Sequence, residues 1–264
     1  MDTPEPVLMN SETQEGTVYF IADSHLGDET EPAEQANAGE LAALLGSLRG
    51  RAAHLYLVGD IFDFWFEYPY HTPAGHRPVL EALSSLSGSG TEVHFTGGNH
   101  DYWAGARLAS LTGAAVHRAP IEATHFGRRL FIAHGDGLPR GDLGYRVLKS
   151  IIRNPLAIAG FSIIPPRVGA AIARWASGLS DVTEERIGRA VPPMLEFLDE
   201  KLGDGFDGVV VGHVHRQILR EGPLGTGVIV GDWMAGRAVV ALDAEGFHAL
   251  RWKNGELRAA DDPR

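Results

Sequence analysis

The sequence predicts an α/β fold built on buried strands, and three observations carry that prediction. Short runs rich in β-branched and aromatic residues recur at 18–21, 55–58, 93–96, 130–133, 209–211, 228–230 and 239–242. Each is mostly apolar on both faces and bounded by Gly, Asp or Asn, the pattern of strands covered on both sides. Helix-like stretches at 34–48 and 78–86 separate the first three runs, which predicts βαβ units with right-handed crossovers. The last runs follow one another across short turns at 223–225 and 234–236, which predicts an antiparallel meander.

The segment 138–202 breaks this rhythm. Its spacing predicts helices at 142–152, 166–178 and 183–202, with Pro155, Pro165 and Pro166 marking the breaks. Ile152, Leu156, Phe161, Ile163, Val168 and Ile172 lie on its faces. They either pack the segment onto the main body or form an apolar lid for a greasy substrate. The 264 residues read as one domain, 1–264, carrying this helical insert at about 138–202.

Composition narrows the function. With 34 acidic against 23 basic residues the formal net charge is −11, so the surface repels nucleic acid. There is no cysteine, which excludes a disulfide framework and a thiolate metal site. Any metal must be held by imidazole, carboxylate and amide groups. The first fifteen residues lack the basic and apolar regions of a secretory signal, and no run reaches the roughly 18 apolar residues of a spanning helix. A cytoplasmic location is expected, with room for peripheral contact at the inner membrane face. No obligate protein partner is evident.

Polar clusters end five of the apolar runs: Asp23-Ser24-His25, Gly59-Asp60-Ile61-Phe62-Asp63, Gly98-Asn99-His100-Asp101, His134-Gly135-Asp136 and Gly212-His213-Val214-His215. In an open α/β sheet the carboxyl ends of the strands line one crevice, so these clusters are expected to converge. Carboxylates and imidazoles brought together without a counter-charge cost several kcal/mol per unpaired buried charge. A pair of divalent cations removes that conflict. Asp-x-His and His-x-His suit the task, because residues i and i+2 leaving a strand point the same way.

Asp-x-His, Gly-Asp-x-x-Asp, Gly-Asn-His-Asp, His-Gly-Asp and Gly-His-x-His, in this order over 19–233, resemble the calcineurin-like metallophosphoesterase superfamily. The resemblance implies a metallophosphoesterase-type αββα sandwich of two mixed sheets, with the helical insertion as a lid. It implies that Asp23, His25 and His215 hold one metal ion, that Asn99, His134 and His213 hold the other, and that Asp60 bridges them. His100 would be the acid, oriented by Asp101, in hydrolysis of a phosphate ester or phosphoanhydride. Imidazole and carboxylate ligands without thiolate suit Mn²⁺, Fe or Zn²⁺ better than Ca²⁺, and Mn²⁺ is the ion expected.

A narrower resemblance rests on the run from Gly59 to Trp65, on His134-Gly135-Asp136-Gly137-Leu138 with Asp142 and Gly144-Tyr145 after it, on the insert, and on Gly231-Asp232-Trp233. These are similar to the UDP-2,3-diacylglucosamine diphosphatases of lipid A biosynthesis. Those enzymes cut a UDP-linked diacyl sugar into 2,3-diacylglucosamine 1-phosphate and UMP. The resemblance implies an insert that receives acyl chains, and substrate contacts at Asn99, His100, Asp142, Ser180 and His213. The chain departs from that pattern twice. His100 stands where those enzymes commonly carry Arg, and Glu184, Glu185 and Arg186 stand where they use basic residues. The alternative substrate is a soluble phosphate compound, handled by a broader phosphodiesterase, nucleotidase or phosphatase. That alternative predicts insert residues buried against the body, whereas a nucleotide-linked lipid demands open apolar surface near the metals.

Overall fold

The structure is a computed structural model and describes residues 7–10, 16–27, 32–138, 154–166, 168–169, 171–172 and 183–260. Side-chain alternation along the strands sets its layers. In β2 (Thr17–Ile21) and β3 (Ala52–Val58), Tyr19, Ile21, Leu55 and Leu57 turn to one face while Val18, Phe20, Tyr56 and Val58 turn to the other. β4 (Glu92–Thr96) and β5 (Ala115–His117) continue this sheet in parallel. β11 (Ala238–Leu242), β12 (Phe247–Lys253) and β13 (Glu256–Ala259) extend it antiparallel, giving the order β13-β12-β11-β2-β3-β4-β5.

The second sheet contains β1 (Val7–Asn10), β6 (Ile121–His125), β7 (Arg128–Ala133), β8 (Gly208–Val211), β9 (Ile218–Gly222) and β10 (Gly225–Ile229). Its order is β1-β6-β7-β8-β10-β9. Ile121, Leu130, Ile132, Val210 and Val228 from this sheet share one core with Phe20, Tyr56 and Val240 of the first. The two sheets therefore stack face to face.

Helices cover both outer faces. α1 (Pro32–Ser47) buries Ala38, Leu41, Leu44 and Leu45, and α2 (Arg77–Gly88) buries Val79, Leu80, Leu83 and Leu86. These are the i, i+3, i+4 stripes of amphipathic helices, and they pack on Tyr19, Ile21, Leu55 and Leu57 beside α3 (Ala106–Thr112). On the far side α5 (Glu184–Gly203) lays Met194, Phe197 and Leu198 on Phe131, Val209 and Val211. The order helix, sheet, sheet, helix is the expected αββα sandwich.

Two expectations need correction. The runs 209–211, 228–230 and 239–242 are not a meander: β8 and β10 are parallel neighbours, β9 forms the hairpin with β10, and the turn at 234–236 carries the chain into the other sheet, where β11, β12 and β13 do form one. The partly exposed β9 at the sheet edge lacks the apolar signature of the buried strands, so the sequence hides it. Pro155 opens a helix rather than only ending one. It occupies the first turn of α4 (Pro155–Phe161), where a missing N–H costs nothing, and Asn154 caps that turn by accepting from the Leu156 amide at 2.8 Å. The helix expected at 142–152 and most of the one at 166–178 lie outside the described residues.

Candidate metal centre

The five polar clusters meet at one edge of the sandwich, supplied by the ends of β2, β3 and β4 in one sheet and of β7 and β8 in the other. Their backbone is unusual. Asp23 (φ 51°), His25 (42°), Asp60 (51°), His213 (70°) and His215 (59°) all adopt the left-handed region. Each such residue costs on the order of 1–3 kcal/mol and persists only where its surroundings enforce it. Here the enforcement is visible. The Asp23 amide donates to the Gly59 carbonyl at 3.1 Å, His25 to Asp60 at 3.0 Å and Gly212 to His134 at 2.9 Å. At Gly59 (φ 80°) a Cβ would run into the His134 ring, and at Gly98 a Cβ would run into the Asp60 carboxylate. Glycine is what lets these side chains close in.

Two groups of side chains result. In the first, Asp23 Oδ1 lies 3.9 Å from His25 Nε2 and 3.5 Å from His215 Nε2. In the second, Asp60 gathers with His134 and His213, and Asp60 Oδ2 stands 3.1 Å from His134 Nε2. The same Asp60 Oδ2 is 4.0 Å from His25 Nε2, so Asp60 stands between the groups. Asn99 is carried between Gly98, which packs on Asp60, and His100, whose amide donates to Asp60 Oδ1 at 2.8 Å. All seven expected ligands thus belong to one edge of the molecule.

The donor atoms fit divalent cations. Asp23 and Asp60 each have one oxygen held by a backbone amide and one turned inward: His213 N donates to Asp23 Oδ2 at 2.9 Å, leaving Oδ1, and His100 N donates to Asp60 Oδ1, leaving Oδ2. His134 donates its Nδ1–H to the Val58 carbonyl at 2.9 Å, which turns Nε2 to the centre, the arrangement that orients metal-binding imidazoles. Asp23 Oδ1, His25 Nε2 and Asn99 Oδ1 are buried and make no hydrogen bond, and His134 Nε2 meets only the Asp60 carboxylate. Three orphaned polar atoms in one cluster carry a penalty of about 1–3 kcal/mol each unless an ion meets them.

The electrostatics show the same conflict. Burial pushes the Asp23 carboxyl up to about 7 against the pull of His134, with Asp60 adding repulsion. Burial also opposes charge on Asp60, yet His134 and His100 hold it well below the carboxylate range. His134 is held well above its ordinary value because Asp60 overrides the effect of burial. The proton that His134 keeps against Asp60 stands where a cation would sit. Burial, then repulsion from His25, lowers His215 to about 4 and leaves a neutral ligand at pH 7.

Asp101 does not orient His100. Its Oδ2 accepts from the amides of Ile61 (2.7 Å) and Phe62 (3.2 Å), and its Oδ1 from Gly98 (2.8 Å) and Asp60 (3.2 Å). It is a buried brace that ties the Asp60 loop to the Gly98 loop. His100 Nδ1 instead meets Asp63, whose carbonyl lies 2.9 Å and whose Oδ1 lies 3.3 Å from it. Burial opposes the His100 charge, but Asp63 raises it to about 9. Asp63 was visible as the last residue of Gly-Asp-x-x-Asp; nothing in that spacing revealed its partner. Glu67, in the loop at 67–73, also has a structural task, capping α3 through the amides of Gly105 (3.0 Å) and Arg107 (2.6 Å).

Beside the site, Phe64, Phe66 and Trp103 receive Phe161 from α4, with ring centroids 5.9, 5.1 and 5.2 Å from it. Phe161 thus ties α4 to the main body, while α5, at the end of the insert, packs on the second sheet through Met194, Phe197 and Leu198. Other apolar groups on it stay in solvent: Leu156 is 82% and Ile163 83% exposed, with Val168 and Ile172 also exposed. Asp142 and Ser180 lie outside the described residues. Among the described residues no helix is long and apolar enough to cross a membrane.

No family model matches the chain. Curated relatives do. A protein of Porphyromonas gingivalis named UDP-2,3-diacylglucosamine hydrolase is 36% identical over 164 residues, 62% of this chain and 60% of that protein. A protein of the same name from Chromobacterium violaceum is 29% identical over 88% of this chain and 98% of its own length. A third, from Pseudomonas fluorescens, is 29% identical over 87% of this chain and 93% of its own. Among solved structures, an archaeal phosphodiesterase aligns with a TM-score of 0.45 at 13% identity, covering 88% of this chain and 98% of that one.

Proposed function

We propose that this chain, a homologue of the UDP-2,3-diacylglucosamine hydrolases, is a two-metal hydrolase that cleaves the phosphoanhydride bond of UDP-2,3-diacylglucosamine, releasing UMP and 2,3-diacylglucosamine 1-phosphate. Asp23, His25 and His215 would hold one cation and Asn99, His134 and His213 the other, with Asp60 shared by the two sets and Mn²⁺ the ion that suits these donors best. Such cations, when bound, neutralise the phosphate oxygens and acidify the attacking water.

The protein's own residues do the rest. The amides of His213 and His100 fix the Asp23 and Asp60 carboxylates, so the site is organised before substrate arrives. Water adds to phosphorus as the bridging P–O bond breaks, and the departing oxygen needs a proton or a compensating charge. His100, kept cationic by Asp63, supplies it: with Nδ1 committed to Asp63, Nε2 delivers the proton. Asn99, His213, Asp142 and Ser180 are assigned to the substrate by resemblance alone.

The observation that carries the lipid assignment is the insert, which sets Phe161 on the rim of the site and leaves Leu156, Ile163, Val168 and Ile172 open. A phosphatase for soluble esters has no use for that surface. The test is hydrolysis by the manganese-loaded protein of UDP-2,3-diacylglucosamine beside UDP-N-acetylglucosamine and an aryl phosphodiester. The lipid is expected to be cut by far the fastest; a wide preference for the aryl ester would remove the lipid assignment while keeping the reaction class.

A further inference from the structure

A second group of imidazoles lies at the opposite ends of the strands that feed the centre above. β3 and β4 run in parallel register with His54 beside Glu92 and Tyr56 beside His94, so His54, Glu92 and His94 share one face at the amino ends of their strands. His54 and His94 are buried, whereas Glu92 reaches solvent. His54 Nδ1 and His94 Nε2 are 3.4 Å apart, and Glu92 Oε2 is 3.7 Å from the first and 3.9 Å from the second.

We infer that His54, His94 and Glu92 form a separate binding site for a late first-row divalent cation, Zn²⁺ by preference, which clips β3 to β4. Three atoms with those separations lie on a circle of about 2.1 Å radius, which matches Zn–N and Zn–O bonds of roughly 2.0–2.2 Å. An ion near that centre reaches all three donors, and a shift of a few tenths of an ångström by the half-exposed Glu92 side chain opens the tetrahedral position for a water on the solvent side. The surroundings are those of a metal-binding imidazole. His94 Nδ1 faces His117 Nε2 at 3.4 Å, which fixes the ring and leaves Nε2 as the ligand. Tyr56 stacks on the His94 ring with centroids 4.6 Å apart, and its hydroxyl meets His125 Nε2 at 2.8 Å, closing the inner side. Burial keeps His54 and His94 below the ordinary imidazole range, so both are neutral and ready to bind at pH 7.

The role is to hold strands together rather than to hydrolyse, so activity and binding separate cleanly. The test is titration of metal-stripped protein with Co²⁺, following bound metal and the visible absorption of tetrahedral cobalt. The double variant Glu92→Ala, His94→Gln is expected to bind one equivalent less than the unaltered protein and to lose that absorption, with hydrolysis preserved. Glu92→Gln alone, at a half-exposed position that folding tolerates, should weaken cobalt binding there at least tenfold, the scale of losing even an outer-sphere partner. Loss of one equivalent is the readout whether or not the proposed catalytic ions bind. Equal cobalt stoichiometry and spectra in the unaltered and variant proteins would overturn the site.

Discussion

β3 and β4 each carry metal-type ligands at both of their ends, and the two ends are built differently. At the carboxyl ends the side chains sit on loops, and Asp60 together with the four ligands that follow β2 and β8 occupies left-handed backbone. Carboxylates are interleaved with imidazoles there, and buried oxygens and nitrogens go unsatisfied. At the amino ends His54, Glu92 and His94 sit in regular pleat, where register alone lines them up. The first arrangement stores backbone strain and buried carboxylate charge; the second has neither, although His54 Nε2 is buried without a partner. Strain marks the end where geometry must serve a reaction, because ligands from two sheets have to reach one point.

The largest expected effect comes from the strained end. Asp60→Ala removes the group that links both ligand sets. It should lower turnover on the order of a thousandfold, since several kcal/mol of charge stabilisation depend on the ions it places. Steady-state kinetics at saturating manganese checks this. Unchanged turnover would mean that the convergent cluster is not where the reaction occurs.

Asp101→Asn comes next. The substitution places an amide NH₂ among four backbone N–H donors, so it should destabilise the fold by about 2–3 kcal/mol and reduce activity through displacement of the Asp60 loop. Denaturant melts with parallel rate measurements test it. Loss of activity with full stability would return Asp101 to a direct role in catalysis.

The unstrained end responds to acid. Burial, aided by repulsion from neighbouring histidines, lowers His94 to about 3 and His125 to about 4. The unfolded chain then binds more protons than the folded one below the ordinary histidine value of about 6.5, so stability falls as pH drops from there towards 4. His94 alone should account for on the order of 2 kcal/mol lost by pH 5. Melts of His94→Gln should show a shallower acid slope than the unaltered protein; identical slopes would show that these imidazoles titrate normally. Smallest in stability is the insert: Leu156→Ser with Ile163→Ser should leave the melt within about 0.5 kcal/mol. The same pair should raise KM for the diacyl substrate about tenfold through lost apolar contact. An unaltered KM would detach the open apolar surface from substrate binding.

The contrast between the two ends also explains what the amino-acid sequence revealed. Asp23, His25, Asp60, Asn99, His134, His213 and His215 stood out because their clusters follow apolar runs, with Asp60, Asn99, His134 and His213 directly beside a glycine. His54 borders such a run, His94 lies inside one, and both look like ordinary strand residues; only the ladder between β3 and β4 brings them together. Asp101 was legible as part of Gly-Asn-His-Asp, but its partners are backbone amides, some about forty positions away, which carry no side-chain signal. The sheets followed from their apolar runs, whereas β9, partly exposed at an edge, and the parallel pairing of β8 with β10 did not. Edge strands and sheet order depend on contacts that local pattern does not encode.

The most direct test of the central claim is anomalous diffraction at the manganese edge from crystals grown with that ion. Two peaks roughly 3.5–4 Å apart, one on each side of the Asp60 carboxylate, are expected. Well-ordered density for Asp23, Asp60 and His134 without a peak among them would contradict the account.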